Sequence, residues 1–478
     1  MSFLHGVETI EIETGVRPIS TVRTGVIGIP GIAPIGAPNE LKLITNLRQA
    51  KTEFGDPLPG FTIPQALEQI FAQGAGAVLA VNIFNSSEMV AEVADEEITV
   101  INGRAKLANA PIGAPVVTDG ASTTYTAGTD YSIDAYGNLK VLSFDNITEG
   151  DTLSVTYDRL DLTAIDDADV IGTVSANART GFKLFETAQA QVGFSPKILI
   201  CPTFCEEAAV AAEMITQAEA LRATALIDAP SATSTGDGPS DVIAERGVSG
   251  TYAGFQTASR NVMLLWPYLK RYDFAADATV ITPPSPYFAG VMAASDRERG
   301  FWFSPSNRAI QNILGVEVEL TSAINDPDSD ANLLNAAGIS TVFTGFGAGI
   351  RTWGNRNASF PVESGPKTFV SVRRVQQVVD ESVELAMLPF VDQPITAAII
   401  DAIRETVNGY IRSLIQRGAL LPGSRCDFIP EDNPPTQIAD GQLVFQNTLM
   451  PPTPAERITF QSRIDINLLA ALAASIQQ

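Results

Sequence analysis

Apolar and polar positions alternate along the chain in three regimes. The run "VRTGVIGIPGIAP" from Val22 and the run "GAVLAVNIF" from Gly76 are apolar throughout, the pattern of strands buried on both faces. Between them, Asn46–Phe54 and Pro64–Gln73 have the spacing of short helices. From Ser86 the pattern shortens. "EITVING", "TTYTAGTDYSIDAYGNLKVLSF" and "DTLSVTYDRLDL" are brief period-two segments with turn residues at Ala135–Asn138 and Thr148–Gly150, as in a small β-sandwich or barrel.

The α/β pattern resumes after Ala168. A long helix is expected near Ala176–Val192, a strand at Lys197–Pro202, a helix at Cys205–Ala223, the strand "ATALIDAP", a helix around Ser249–Arg260 and the strand "VMLLWPYL". Strand and helix in alternation imply a mainly parallel sheet. Beyond Phe360, apolar residues at Val375, Val378, Val379 and Val383 mark a helix over Ser371–Leu388. Ala398, Ile399, Ala402, Ile403, Val407, Ile411, Leu414 and Ile415 mark a second over Ile395–Arg417. Two alternating strands, "GQLVFQNTLM" and "RITFQSRIDINL", are expected to complete a compact α+β unit.

At the N-terminus, Ile10 and Ile12 alternate with Thr9, Glu11 and Glu13, with no hairpin turn to supply a partner strand, so residues 1–21 read as an arm. The chain thus divides into that arm, an α/β domain of residues 22–87 with 161–360, an inserted β-sandwich of residues 88–160, an α+β domain of residues 361–466 and a C-terminal arm of residues 467–478. A length of 478 residues fits several domains, each with its own core.

Composition narrows the function classes. The net charge is −23, which argues against a nucleic-acid-binding surface running over the molecule and favours protein partners. Residues 88–160 hold twelve acids against four bases, and this charge is expected to face outward, because burying it between like subunits would cost repulsion. Met1–Ile12 lacks the basic head and apolar run of a secretion signal, so a cytosolic chain is expected. The apolar tail from Ile466 has 13 residues, short of the roughly 20 needed to span a bilayer, so no membrane insertion is expected. Three cysteines (Cys201, Cys205 and Cys426) fit a reducing compartment without disulfides.

Catalytic and cofactor motifs are weak. One histidine, His5, lies in the arm, so no Ser-His-Asp or Cys-His set can form in the folded body. Gly345, Gly347 and Gly349 match neither the dinucleotide nor the phosphate-loop fingerprint, which leaves glycine-kinked strand packing. Asp326, Asp328 and Asp330 have calcium-loop spacing, but Ala331 and Ala337 stand where such a loop needs Gly and Glu, and a helix-capping turn is expected instead. No metal, cofactor or catalytic residue is assigned.

The order and spacing of "GVRPISTVRTGVIGIPGIAP", "LITNLRQAKTEFG", "DRERGFWFSPSNRAI", "LNAAGI", "GIRTWGNR" and "ERITFQSRIDI" resemble the sheath proteins of contractile phage tails, over most of the chain. That resemblance implies a subtilisin-like α/β sheath domain without protease function, an outer inserted domain and an inner C-terminal domain. It implies a helical homopolymer around a tail tube, joined by baseplate and tail terminator proteins, assembled in the host cytoplasm and residing in the virion. A phage-derived injection device is the neighbouring reading, and an α/β enzyme or a secreted adhesin the more distant ones. The arms would add strands to neighbours. Val7, Ile10 and Ile12 would supply the contacts at one end, and Ile458, Phe460, Ile464 and Ile466 those at the other. Arg351, Trp353, Arg356, Arg373 and Arg374, clustered in a base-poor chain, are either interface anchors or partners of carboxylates in the same subunit.

Overall fold

The computed structural model describes residues 19–467 and Leu469, apart from Asn177, Ala275, Phe346 and Ala348. The expected arm contacts Val7, Ile10 and Ile12, with His5, lie outside the described residues.

The chain enters through β1 (Val26–Gly31), β2 (Leu41–Ile44) and β3 (Ala77–Asn82), with helices at Leu47–Phe54 and Thr62–Ala72 between the last two. The first helix begins where the Asn46 side chain accepts the Gln49 amide at 2.9 Å, and it stops at Gly55, whose φ of 84° suits glycine. The insert supplies β4 (Val90–Thr99), β5 (Arg104–Lys106), β6 (Pro111–Thr118), β7 (Tyr131–Ile133), β8 (Asn138–Val141) and β9 (Thr152–Leu160). Then follow β10 (Ile198–Ile200), β11 (Thr224–Asp228), β12 (Val262–Leu265), β13 (Leu269–Asp273), β14 (Ala278–Thr282), β15 (Gly315–Val316), β16 (Ile339–Gly345) and β17 (Gly349–Trp353). The last strands are β18 (Arg425–Asp427) and β19 (Gln446–Thr448).

Among the described residues the main sheet has eight strands in the order β17-β16-β12-β11-β10-β1-β3-β2. All its pairings are parallel except β2 with β3 and β16 with β17, at the two edges. Its central strands read as unbroken apolar runs because both faces are covered. Val26, Leu79, Leu199, Ile227 and Leu264 enter one core, and their neighbours Ile27, Val78, Ile198, Leu226 and Leu265 enter the other. Helices Leu47–Phe54, Thr62–Ala72 and Ser285–Glu298 pack on the second face.

The insert leaves and rejoins this domain through neighbouring strands, since Val90 pairs with Leu160. Its two three-stranded sheets, β4-β9-β6 and β5-β8-β7, share a core that includes Ile98, Leu107, Tyr131, Leu139, Leu153 and Val155. The C-terminal unit is built on helices Val370–Met387 and Ala397–Arg417, which interlock through Val375, Val378, Val379, Val407, Ile411 and Leu414.

Three expected elements differ. The long helix near Ala176–Val192 is a 3-10 turn at Gly181–Thr187 followed by a short helix at Ala188–Val192. The helix around Ser249–Arg260 is a single 3-10 turn, Ala253–Gln256. There a Cβ on Gly254 would stand 2.9 Å from Ile227, so that glycine serves close packing of the loop on β11. Among the described residues the expected terminal strand from Arg457 pairs with no other strand, and β18 and β19 form a two-stranded sheet without it.

Candidate assembly surface

Both ends of the described chain meet at the C-terminal unit. Ile19 and Val22 pack on its core, the Val22 amide donates to Ser382 Oγ at 3.2 Å, and the Tyr410 hydroxyl lies 3.3 Å from Thr21 Oγ1. At the other end, the segment past Met450 runs without helix or strand assignment to Asp465. Ile458, Phe460, Ile464 and Ile466 on it are 71%, 88%, 100% and 75% exposed. Alternate apolar side chains in open solvent are the residue pattern of a strand whose second face belongs to something else. Beside it, β18 pairs with β19 antiparallel through Arg425↔Thr448 and Asp427↔Gln446, and each keeps a free edge among the described residues. Two strands of three residues are a marginal sheet alone and present unpaired amides and carbonyls to a third.

The arginines have different surroundings. Arg374 is bidentate to Asp296 at 2.5 and 2.8 Å, both side chains are buried, and Nη2 also donates to the Thr24 carbonyl. It therefore clasps three segments within the subunit. Arg373 is half-buried, donates to Asn261 Oδ1 at 2.9 Å, and has its pKa lowered by burial. Arg356 lies against the Phe369 ring at 3.7 Å and holds Glu456 through Nε at 2.9 Å, at the root of the exposed segment. Arg351 and Trp353 sit on β17, the last strand in the main sheet's order, whose outer side is taken by residues 307–310, with the Thr352 amide donating to the Arg308 carbonyl at 2.9 Å and the Ile310 amide to the Ile350 carbonyl at 3.0 Å. Arg351 donates to the Asn307 carbonyl at 3.1 Å and Trp353 stacks on Phe343 at 4.7 Å.

A stripe that sequence reading missed fastens the helix Val370–Met387 to the main domain. Arg373 and Gln377 both donate to Asn261, Glu381 meets Lys197 at 2.5 Å, and Glu384 accepts both Arg222 Nη1 and Nη2. Polar residues at 373, 377, 381 and 384 repeat at helical spacing opposite the apolar stripe, and that spacing was the available signal.

A second unanticipated cluster lies beyond the carboxyl ends of β10, β11 and β12, where α/β enzymes place their sites. Asp228 Oδ1 accepts the Ser285 amide at 2.9 Å and Oδ2 accepts the Ser285 hydroxyl at 2.5 Å, while Cys205 Sγ lies 3.8 Å away. Tyr268 donates to Glu206. Burial pushes Asp228 up to about 8 and Glu206 up to about 7. Asp228 and Ser285 are fully buried and read as packing of a neutral acid, whereas Glu206 and Tyr268 line a groove of about 950 Å³.

A raised acid pKa in the folded state means that the fold holds a proton the unfolded chain releases. The contribution of Asp228 to stability should fall as pH rises from about 4 to about 8 and then level. Asp228→Asn, which keeps the hydrogen bonds, is expected to reduce that slope by one proton and to raise the melting temperature at pH 8 more than at pH 5. Melting curves across this range check it, and an unchanged slope would reject a neutral Asp228.

The remaining motifs sit in local turns. Gly345, Gly347 and Gly349 belong to the β16–β17 hairpin, the last two at φ of 64° and 69°. Asp326 accepts the Asp328 amide and Asp330 accepts the Thr321 amide, just before the helix Asp330–Ala336. Among the described residues no group of acids, cysteines or histidines is placed to hold a metal. All three cysteines are free and buried. No described helix is long and apolar enough to cross a membrane.

The chain is 40% identical to the tail sheath protein of Burkholderia phage BcepMu, over 98% of each chain. It belongs to the phage tail sheath protein family. Residues 177–358 match the family model of the phage tail sheath protein central domain, a range that contains all of β10 to β17. The tail sheath protein of Escherichia phage P2 is 29% identical over 65% of this chain and 74% of its own. The fold of this sheath protein is similar to that of the anti-feeding prophage helical sheath in its contracted state, with a TM-score of 0.60, 16% identity and coverage of 97% of this chain and 100% of that one. As a member, it is a structural sheath subunit of mixed α/β fold with multiple sheets, and its relatives are structural proteins.

Proposed function

We propose that this subunit polymerises as a helical cylinder around a tail tube and contracts once to drive the tube through a cell envelope. The observation that carries the reading is the exposed alternating segment Ile458–Ile466, leaving the same small unit that receives the chain from Ile19, next to a sheet whose edges are free among the described residues. Strand addition between subunits would keep them linked while the domains swing, and the subtilisin-like main domain would move as a rigid body. Residues 1–21 would act as the second linking arm. The tube, baseplate and tail terminator are the proposed partners, with assembly in the host cytoplasm and residence in the virion. The similarity to the anti-feeding prophage sheath favours a phage-derived injection device as the second reading.

Within this reading Arg356 anchors the arm's root through Glu456, and Arg351 and Trp353 on β17 are the remaining candidates to meet a neighbour. Arg356→Ala is expected to cost the subunit about 1–3 kcal/mol, the exposed Glu456 pair contributing about 1 kcal/mol or less and the rest coming from the lost contact with the Phe369 ring and the lost hydrogen bond to Thr368. Sheath length should nonetheless shorten as the arm's starting point loosens. Negative-stain images with a monomer melting curve check both, and sheath of normal length would remove the anchoring role.

The reading as a whole is tested by sedimentation and electron microscopy of the purified chain at high concentration, with and without tail tube. Tubes or short helical assemblies are expected. A strictly monomeric species that never joins a tube would sink it.

A further inference from the structure

Three of the insert's four bases lie on one of its two sheets, the fourth, Arg159, being on β9 of the other. In β5 and β8, Arg104 lies directly opposite Lys140 and Lys106 opposite Asn138, and Ser132 of β7 continues the Lys140 row. Their sequence neighbours Leu139 and Val141 point into the insert's core, so Arg104, Lys106 and Lys140 share the outward face. Like charges directly opposite on adjacent strands repel. None of the three makes an ion pair within the subunit among the described residues, although bases elsewhere in the chain repeatedly do. They line a groove of about 760 Å³ against the tip of the β13–β14 hairpin. Of the acids at its rim, Asp134 accepts the Tyr136 and Asn138 amides and also feels the charge of Lys106, and Asp277 accepts the Tyr272 hydroxyl, which leaves Arg104 and Lys140 facing outward.

The other sheet has the opposite character. Glu92 lies directly opposite Asp158, and Glu97 opposite Ser154, whereas Leu153, Val155 and Tyr157 alternate inward. A β-bulge between Val93 and Glu96 pushes the strand outward and leaves Asp95 at φ 52°. The outward face therefore holds Glu92, Asp95, Glu97 and Asp158, none of them in an ion pair among the described residues. Because the two sheets sandwich one core, the acidic and basic faces lie on opposite sides of the insert.

We propose that inserts of neighbouring subunits dock head to tail, the basic sheet of one copy receiving the acidic bulge of β4 on the next. The partner is a second copy of this chain because each copy offers both complementary faces, and such a heterologous contact repeats along a polymer. The proposal rests on the sheath reading. It adds a salt-sensitive contact at the periphery of a polymer that the arms hold together, so it tunes sheath stability and is not needed for assembly.

Charge reversal tests it. Arg104→Glu with Lys140→Glu, Glu92→Lys with Asp158→Lys, and all four together are compared with the wild-type chain. The readout is the urea midpoint of sheath dissociation at about 50 mM and about 500 mM salt, where the screening length falls severalfold. Each pair alone should lower the low-salt midpoint, with the difference vanishing at high salt, and the quadruple variant should return to the wild-type value. All four positions are exposed, so monomer melting is expected to hold. A pair that lowers it is replaced by the glutamine versions, which should show half the effect. In parallel, Lys140→Cys with Glu92→Cys should give a ladder of linked subunits on oxidation, free of interference from the buried native cysteines. Reversed pairs that leave the low-salt midpoint unchanged, or that weaken the sheath additively when combined, would overturn the contact. A wild-type chain that never assembles would remove the sheath reading and this contact with it.

Discussion

Replacing Ile458, Phe460 and Ile464 together by serine is expected to leave the subunit folded and to abolish continuous sheath. In the subunit these side chains stand 71%, 88% and 100% exposed, and substitutions at such positions change stability by about 0.5 kcal/mol or less each. In a strand-swapped polymer they would lie between sheets, where burying each contributes about 1.5–3 kcal/mol. The lost apolar contribution is then about 5 kcal/mol or more per contact, which weakens association by at least about a thousandfold. The main-chain hydrogen bonds of an added strand, roughly four to six at about 1 kcal/mol each, would remain in principle. They do not form without the side chains that fix the register. Sedimentation and negative-stain imaging, alongside a monomer melting curve, give the answer. Normal tubes from the triple variant would show that the segment is not a linking arm.

Arg374→Ala should do the reverse, damaging the subunit before the polymer. The substitution strands Asp296, which is 3% exposed, without its bidentate partner, and breaking a buried pair from one side costs about 3–5 kcal/mol. Because Arg374 also reaches the Thr24 carbonyl, the loss falls where helix Val370–Met387, helix Ser285–Glu298 and the entering chain meet. At about 2–4 °C per kcal/mol for a domain of this class, the melting point should drop by roughly 6–20 °C. Asp296→Leu with Arg374→Met removes both charges and should recover most of it, since apolar pairs of similar volume replace buried ion pairs at little cost. A variant that melts normally but fails to assemble would return Arg374 to the subunit interface.

These two experiments separate residues that look alike in one dimension. Arg351, Arg356, Arg373 and Arg374 stand within a short stretch, and nothing local distinguishes them. Their partners are Asn307, Glu456, Asn261 and Asp296, all more than 40 residues away in the chain. Arg374 differs from Arg373 because one helical step turns it from the Asn261 side into the seam with the Ser285–Glu298 helix. The buried Asp228 cluster was equally hidden. Its members, at 205, 206, 228, 268 and 285, come together only because β10, β11 and β12 are adjacent and parallel, so their carboxyl ends converge.

What the sequence determined by itself is the set of elements whose cause is local. The unbroken apolar runs of β1, β3, β10, β11 and β12 announced strands covered on both faces. Asn46 and Gly55 bracketed a helix, and apolar residues at helical spacing marked the helices Val370–Met387 and Ala397–Arg417. Period-two patterning with turn residues marked the insert's strands. The tertiary structure alone decided cases in which two local readings were equivalent. Gly254 sits where a helix was expected because Ile227 needs the room. Ile458 to Ile466 alternates as a strand would, yet a strand is completed only by the edge it joins, and no edge among the described residues takes it. Periodicity and capping act over about ten residues or fewer, whereas the choice of partner is made between surfaces brought together from distant parts of the chain, and in a polymer from different chains.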